Sequence, residues 1–476
     1  MWNDLMTKLR EVVRNLFKTH TLEKTFDVQI ATSDEMAQAI QLWHRMYVGT
    51  SPWLNWETTH SLGIPSALAS ELARLAVVEL ESTVSNNEYI DMQFQRVLSK
   101  IRLYTEQAVA TGGIVFKPYV DGANIAVDIV EAHNFFPTSY NSQKQITGAV
   151  FLEEKREGDY IYTRVEHHQL LGTDYTIQNA AFKRKSFGSS FDRDNQTLGE
   201  RISMATIDEW QDISEEPWTI KNVEKPLFAY FKMPYGNTID TTSPLGMSLF
   251  GKPELVEMIK QADKQYSRIL WEYQGSELAI DVDRNAILTD KKTGEPILPE
   301  GKERLFRKLD VQSGPDKDLY SVFSPNIRNN ELFMGLNELL KRIEFNVGMS
   351  YGTISDPAEI PKTATEIISS KQRLYATVKE LQQALEFALD DLVYAMAIWG
   401  QLYKLCGNKY ETAYKWDDSI VVDREKELAS MQADVAAGLL RPEKYLAKKY
   451  GVSEEEALLL MPQTQPVSPD PFGDRE

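Results

Sequence analysis

The chain has 476 residues, 70 of them acidic and 52 basic, with a formal net charge of −18 at pH 7. This length predicts two or three domains with ample core, and the acidic balance argues against tight, nonspecific binding to phosphate backbones. The single cysteine, Cys406, excludes an internal disulfide. No apolar run has the roughly 18 residues that a membrane span needs, and residues 1–20 lack the apolar segment of a secretory signal.

The N-terminal part predicts helices followed by antiparallel strands. An amphipathic stripe in the first twenty residues predicts a docking helix, and further helices are predicted over 35–50, 65–85 and 91–110. The pattern changes at Gly112-Gly113, where alternating apolar residues predict strands over 114–120, 125–130, 147–154, 159–168 and 173–184. His167 and His168 are adjacent on one predicted strand, so their side chains point to opposite faces and cannot chelate one ion.

The second half is dominated by long helices. A helix over 252–274 is followed by an α/β insert over 279–328, then by a helix over 331–347 and a loop with two prolines and two glycines. Thr363 and Glu366 have capping-box spacing at the start of the next helix. Its apolar residues repeat every 3.5 residues over about 40 residues, which predicts a rod of roughly 60 Å. Shorter elements follow: a strand over 413–422, helices over 425–437, 442–450 and 454–460, and a disordered proline-rich tail over 463–476.

Sequence motifs of the common enzyme classes do not occur. There is no Gly-Lys-Ser/Thr phosphate loop, no His-Glu-x-x-His, no Cys-x-x-Cys and no Gly-x-Ser-x-Gly. Acidic pairs such as Asp390-Asp391 have diverging side chains in a helix. The sequence therefore predicts no enzyme activity, no cofactor and no metal site.

Two motifs carry a resemblance to a known family. Ser243-Pro244-Leu245-Gly246-Met247-Ser248 precedes the first long helix, and Gly348-Met349-Ser350 leads to Lys362-Thr363-Ala364-Thr365-Glu366-Ile367. Together with segments 61–77, 104–120 and 160–182, they resemble the portal proteins, or head-tail connectors, of long-tailed phages that infect Gram-positive bacteria.

The resemblance implies a helix-rich α+β portal fold, assembled as a ring that is usually made of twelve subunits at one capsid vertex. The ring would carry double-stranded DNA inward during packaging and outward during ejection. Its implied partners are further copies of the chain, the terminase large subunit, a head-tail adaptor, and the major capsid and scaffolding proteins, with no membrane. The implied location is the virion, and the host cytoplasm during assembly. The implied parts are a wing (1–245), a stem helix (246–278), a clip (279–328), a second stem helix (329–348), a tunnel loop (349–362), a long helix and strand returning to the wing (363–423), and a crown (424–462).

The same resemblance implies two groups of contact residues. The DNA-facing residues of the tunnel loop would be Ser350, Thr353, Ser355, Asp356, Glu359 and Lys362, followed by the helix cap of Thr363 and Glu366. Lys362 is the foremost candidate for phosphate contact, while Asp356 and Glu359 would keep that contact weak. The basic residues of the clip are either ordinary solvated surface or the site that meets partners: Lys291, Lys292, Arg304, Arg307 and Lys308.

Two other readings stay open at the level of the sequence. One is a different virion protein, such as an adaptor or tail component, which would lack a DNA-wide bore. The other is an acidic metal-dependent hydrolase whose activity comes from dispersed Asp and Glu residues.

Overall fold

The computed structural model describes residues 18–78, 80–185, 198–276, 279–283, 306–309, 320–323, 326–356, 364–416 and 424–461. The chain divides into two compact units, Met1–Tyr414 and Lys415–Glu476. The chain combines helices with mainly antiparallel sheets, which agrees with the predicted α+β class. Within the described residues, no helix combines the length and hydropathy that crossing a membrane requires. The predictions for the first seventeen residues and for the tail 463–476 lie outside the described residues.

The first unit begins with helical residues 18–26. The next elements are α1 (Asp34–Tyr47), α2 (Ile64–Val77), β1 (Leu80–Ser85), α3 (Glu88–Leu98) and α4 (Ile101–Thr111).

Two sequence predictions are wrong in this region. The helix predicted over 65–85 ends at Val77, because Leu80–Ser85 pairs instead with a strand more than 300 residues away, Glu411–Trp416. The helix predicted over 91–110 is two helices. α3 packs against β1 and α4 packs against α2, so the chain bends between them without a proline or glycine. Both errors come from distant packing partners that override local helix propensity.

Two sheets follow. β2 (Gly113–Asp121) pairs with β3 (Asn124–Glu131), and a single 3₁₀ turn, Ala132–Asn134, leads to the second sheet. That sheet is built from β4 (Phe135–Tyr140), β5 (Ile146–Glu157), β6 (Tyr160–Leu171), β7 (Asp174–Lys185), β8 (Glu200–Ile202) and β9 (Trp218–Ile220). The predicted antiparallel meander is confirmed by the register of β5, β6 and β7, whereas the sequence did not reveal β4, β8 and β9. β10 (Ala229–Lys232) returns to pair with β2.

The meander buries one face under the N-terminal helical residues. Leu22, Phe26 and Ile30 pack against Val150 and Phe182 of the sheet. His167 and His168 have different neighbours, as their alternation on β6 requires: the His167 ring lies 5.4 Å from the Phe26 ring, whereas His168 bonds to Tyr175.

Two long helices form an adjacent pair, α5 (Pro253–Gly275) and α6 (Asn329–Val347), which confirms both sequence predictions. Between them in sequence lies a three-stranded sheet of β11 (Ala279–Asp283), β12 (Phe306–Leu309) and β13 (Tyr320–Phe323). Arg328 bonds through both Nε and Nη2 to the Glu272 carboxylate, at 3.2 and 3.0 Å, and so joins the end of α5 to the start of α6.

The predicted rod is α7 (Ala364–Leu402), a helix of 39 residues. Its C-terminal half is the centre of the core, since Leu381, Leu385, Leu392 and Met396 are fully buried. This half packs against β2, β10 and α2. The apolar repeat of the sequence therefore identified the buried stripe correctly, and β14 (Glu411–Trp416) follows the helix.

The second unit contains three helices, α8 (Arg424–Ala436), α9 (Pro442–Tyr450) and α10 (Glu454–Leu460). Gly438 follows α8 with a positive φ of 74°, and Ser453 with Glu456 forms a capping box at the start of α10. The predicted short helices are thus confirmed.

Candidate functional site: the loop between α6 and α7

The candidate site is the interhelical loop, residues 348–363, of which the structure describes 348–356. α6 ends at Val347, and Gly348 follows in the left-handed region with φ of 76°. A Cβ on Gly348 would lie 2.5 Å from Thr377 Oγ1 of α7, so both the backbone angle and the close approach require glycine. Met349 then turns inward and is completely buried.

A buried carboxylate organises the loop. Glu344 of α6 has no exposed surface, and four donors of the loop converge on it. Its Oε1 accepts from the backbone N–H of Ile354 at 2.6 Å and of Ser355 at 2.9 Å. Its Oε2 accepts from the Ser355 hydroxyl at 2.7 Å and from the Gly352 N–H at 3.2 Å. A buried charge is tolerated only when such donors replace water, so the loop and Glu344 require each other.

A second side chain of α6 holds the far end of the described loop. The Asn337 Oδ1 atom accepts from the backbone N–H of Asp356 at 2.7 Å, and Asn337 is buried. Asn337 and Glu344 are seven residues apart, which is about 10 Å along a helix. The loop therefore runs back along α6 instead of leaving it directly.

A cation–π contact connects the loop to the N-terminal half of α7. The Arg373 guanidinium lies 4.3 Å from the Phe345 ring centroid and 5.9 Å from that of Tyr351. Phe345 is on α6, Tyr351 is on the loop, and Arg373 is on α7, so one side chain contacts all three segments.

The residues predicted to face DNA lie in different environments. Ser355 is buried against Glu344, which does not fit a DNA-facing side chain, because its hydroxyl is already committed to the carboxylate. Thr353 is half-buried and donates to the Ser350 carbonyl oxygen at 2.6 Å, whereas Asp356 is exposed. Glu359, Lys362 and Thr363 lie outside the described residues, and Glu366 lies on α7.

The residues predicted for partner contact lie in the insert between α5 and α6. Lys291, Lys292 and Arg304 are outside the described residues. Arg307 and Lys308 lie on β12, where they pair in register with Asp281 and Val282 of the parallel strand β11.

Sequence reasoning missed the two anchoring residues. Each lies on α6 directly after a buried apolar residue, Asn337 after Leu336 and Glu344 after Ile343. A polar residue at the edge of a buried stripe is the signal that could have found them, since it must meet a partner if the stripe is covered.

Comparison with known proteins places this architecture in a family. Residues 78–461 match the family model described as "Phage portal protein, SPP1 Gp6-like", and the chain therefore belongs to this family. No curated protein matches the chain. One matching solved structure is described as "Neck of native GTA particle computed with C12 symmetry"; it has 13% identity and a TM-score of 0.40, with 87% of this chain and 94% of that chain covered.

Family membership confirms the resemblance found in the sequence. It makes the chain a portal, or connector, component of a phage particle, and the family is structural and not enzymatic.

Proposed function

We propose that the chain forms a homo-oligomeric ring at one capsid vertex, with twelve subunits as the family resemblance implies. Double-stranded DNA passes through the ring during packaging and ejection. The ring also provides the docking surface for the terminase large subunit, for the head-tail adaptor, and for the major capsid and scaffolding proteins. The protein assembles in the host cytoplasm and remains in the virion.

The observation that carries this proposal is the exposed apolar surface of the α5/α6 pair. Trp271 is 68% exposed, Met334 is 56% exposed and Phe333 is 44% exposed, although all three lie on well-formed helices. Monomeric proteins rarely present such side chains together without a partner. In a closed ring the contact between neighbours is head-to-tail, so a different surface of the adjacent copy would cover these side chains.

The interhelical loop supports the channel part of the proposal. Glu344 and Asn337 fix the backbone of the described loop on α6 at defined points. A fixed loop with an exposed carboxylate at Asp356, on a chain of net charge −18, would guide DNA without holding it tightly. We assign this loop (349–362) as the tunnel loop, with Lys362 as its phosphate contact.

The remaining parts follow from the same assignment. Residues 1–245 form the wing, 246–278 and 329–348 the two stem helices, and 363–423 the long helix and strand returning to the wing. Residues 424–462 form the crown. The insert 279–328 forms the clip, where Lys291, Lys292, Arg304, Arg307 and Lys308 would meet the motor and the adaptor.

Electron microscopy with a solution mass measurement tests the ring. Twelve copies of a 54.4 kDa chain give about 650 kDa with a central hole. Trp271→Glu should shift the mass to smaller species, because a charge would have to be buried between subunits. Leu171→Glu is the matched control, since Leu171 is 70% exposed on the β6–β7 hairpin, outside the stem. A compact dimer that is insensitive to concentration, or rings formed equally by both variants, would contradict the assignment.

A packaging assay tests the loop separately. Deleting residues 357–361, which spares the loop's described contacts with Glu344 and Asn337, should leave rings with the same number of subunits that package little or no DNA. Normal packaging by these rings would refute the tunnel-loop assignment without affecting the ring itself.

A further inference from the structure

Three side chains far apart in sequence converge beside the first sheet. His44 lies in the last turn of α1, Glu131 ends β3, and His133 lies in the 3₁₀ turn that follows. Their nearest ligand atoms all lie within 4.8 Å of one another. The His44 Nδ1 atom is 3.7 Å from Glu131 Oε2, and the His133 Nδ1 atom is 3.3 Å from the same oxygen.

Both imidazole nitrogens lie within ion-pair range of the same carboxylate oxygen of Glu131. Ligand atoms at about 2.0–2.2 Å from a tetrahedral ion would be about 3.3–3.6 Å apart. The 3.3 Å separation of His133 Nδ1 from Glu131 Oε2 fits this spacing, and the 3.7 Å separation of His44 Nδ1 is slightly longer. The three ligand atoms, all within 4.8 Å of one another, would therefore draw together slightly on binding. The two imidazole centroids are 4.6 Å apart with a 54° angle between the ring planes, so the rings do not stack flat.

The surroundings offer orientation and an open coordination position. The other oxygen of Glu131, Oε1, accepts a hydrogen bond from Gln107 Nε2 at 3.4 Å. Gln107 would therefore orient the Glu131 carboxylate, as residues behind the ligands do in metal sites. His44 and His133 both line a cavity of about 250 Å³ that has room for water. Lys18, the cationic group on that cavity, forms an ion pair with Glu154 at 3.3 Å.

We propose that His44, Glu131 and His133 bind one divalent transition-metal ion of the zinc type. Two imidazoles and a carboxylate are the donor set that Zn²⁺ and Co²⁺ accept, with water in the fourth position. The ion would fasten α1 to the end of β3. The sequence did not predict the site, since 86 residues lie between His44 and Glu131 and no short motif joins them.

Calorimetry on the full chain, after removal of metal with a chelator, tests the proposal. Zn²⁺ should bind with a stoichiometry of one per chain, and Co²⁺ should give the visible absorption bands of a tetrahedral site. The melting temperature should rise by several degrees, because the ion binds only the folded chain. His44→Gln and His133→Gln should each weaken binding at least tenfold and abolish the cobalt bands, with metal-free melting temperatures near that of the parent.

His20→Gln is the matched control, because His20 is exposed on the N-terminal helix and is not part of the cluster. This variant should keep full affinity. Absence of one-to-one binding by the parent chain would overturn the proposal. Equal affinity in the parent and in both cluster variants would do the same, since the ion would then be bound elsewhere.

Discussion

Replacing Glu344 by glutamine should release the interhelical loop without unfolding the chain. The carboxylate accepts four hydrogen bonds, two at each oxygen. Glutamine keeps one acceptor oxygen, which can still serve Ile354 and Ser355. Its NH₂ group can donate to the Ser355 hydroxyl but faces the Gly352 N–H as a second donor. That N–H then keeps only Ser355 Oγ as its acceptor, at 3.1 Å.

The expected magnitude follows from these contacts. Hydrogen bonds to a charged group contribute about 1.5–3 kcal/mol and those to a neutral group about 0.5–1.5 kcal/mol, so each bond that reaches the neutral amide instead weakens by about 1 kcal/mol. Partial rescue by the amide offsets some of this loss. We therefore expect the free energy of loop opening to fall by about 2 kcal/mol, which corresponds to roughly 30-fold faster amide exchange.

Hydrogen–deuterium exchange of peptides covering residues 350–356 measures this directly. Glu338→Gln is the matched control: Glu338 lies on the same helix, its side chain is 65% exposed, and it pairs only at the surface with Lys341 at 2.8 Å. The control should leave exchange in the loop unchanged, because an exposed ion pair contributes little. Exchange in Glu344→Gln that matched both the parent and the control would refute the view that this carboxylate holds the loop.

Two further predictions concern positions outside the interhelical loop. Gly246→Ala should destabilise the fold by at least about 2 kcal/mol, because the added Cβ would lie 2.1 Å from the Gly112 carbonyl oxygen. Gly335→Ala is the control: this position of α6 is exposed and the nearest atom to an added Cβ is 3.9 Å away, so the change should be neutral or stabilising by about 0.5–1 kcal/mol. Equal effects of the two variants in chemical denaturation would contradict the argument. Burial, with a smaller effect of neighbouring His168, lowers the pKa of His167 from 6.5 to about 4, so the unfolded chain takes up a proton first as pH falls. The neutral His167 therefore contributes stability that is fully present above pH 6.5 and is lost, by about 3 kcal/mol, as pH falls toward 4. His167→Gln should flatten this part of the curve of unfolding free energy against pH. An unchanged slope would show that His167 is not buried in its neutral form.

The sequence predicted an element correctly wherever one apolar period continued and no packing partner distant in sequence imposed a different structure. The 3.5-residue repeat of α7 and the alternation on β5, β6 and β7 each bury a stripe or face of the element itself, so the chain shows them directly. The sequence did not predict β1, because Leu80–Ser85 is a strand only through its pairing with Glu411–Trp416. The family, too, was visible in the sequence, through Ser243–Ser248 and the segment after Gly348.

The sequence itself therefore determined most of the order of the elements, the two long helices, the loop that follows them and the acidic character of the chain. Only the tertiary structure decided which polar residues act together. Glu344 accepts hydrogen bonds from loop residues eight to eleven positions away. His44 of α1 lies beside Glu131 of β3. The spacing of apolar residues shows how each segment buries its own apolar face. A buried charge or a ligand cluster instead depends on which donors, distant in sequence, the folded chain places close to it.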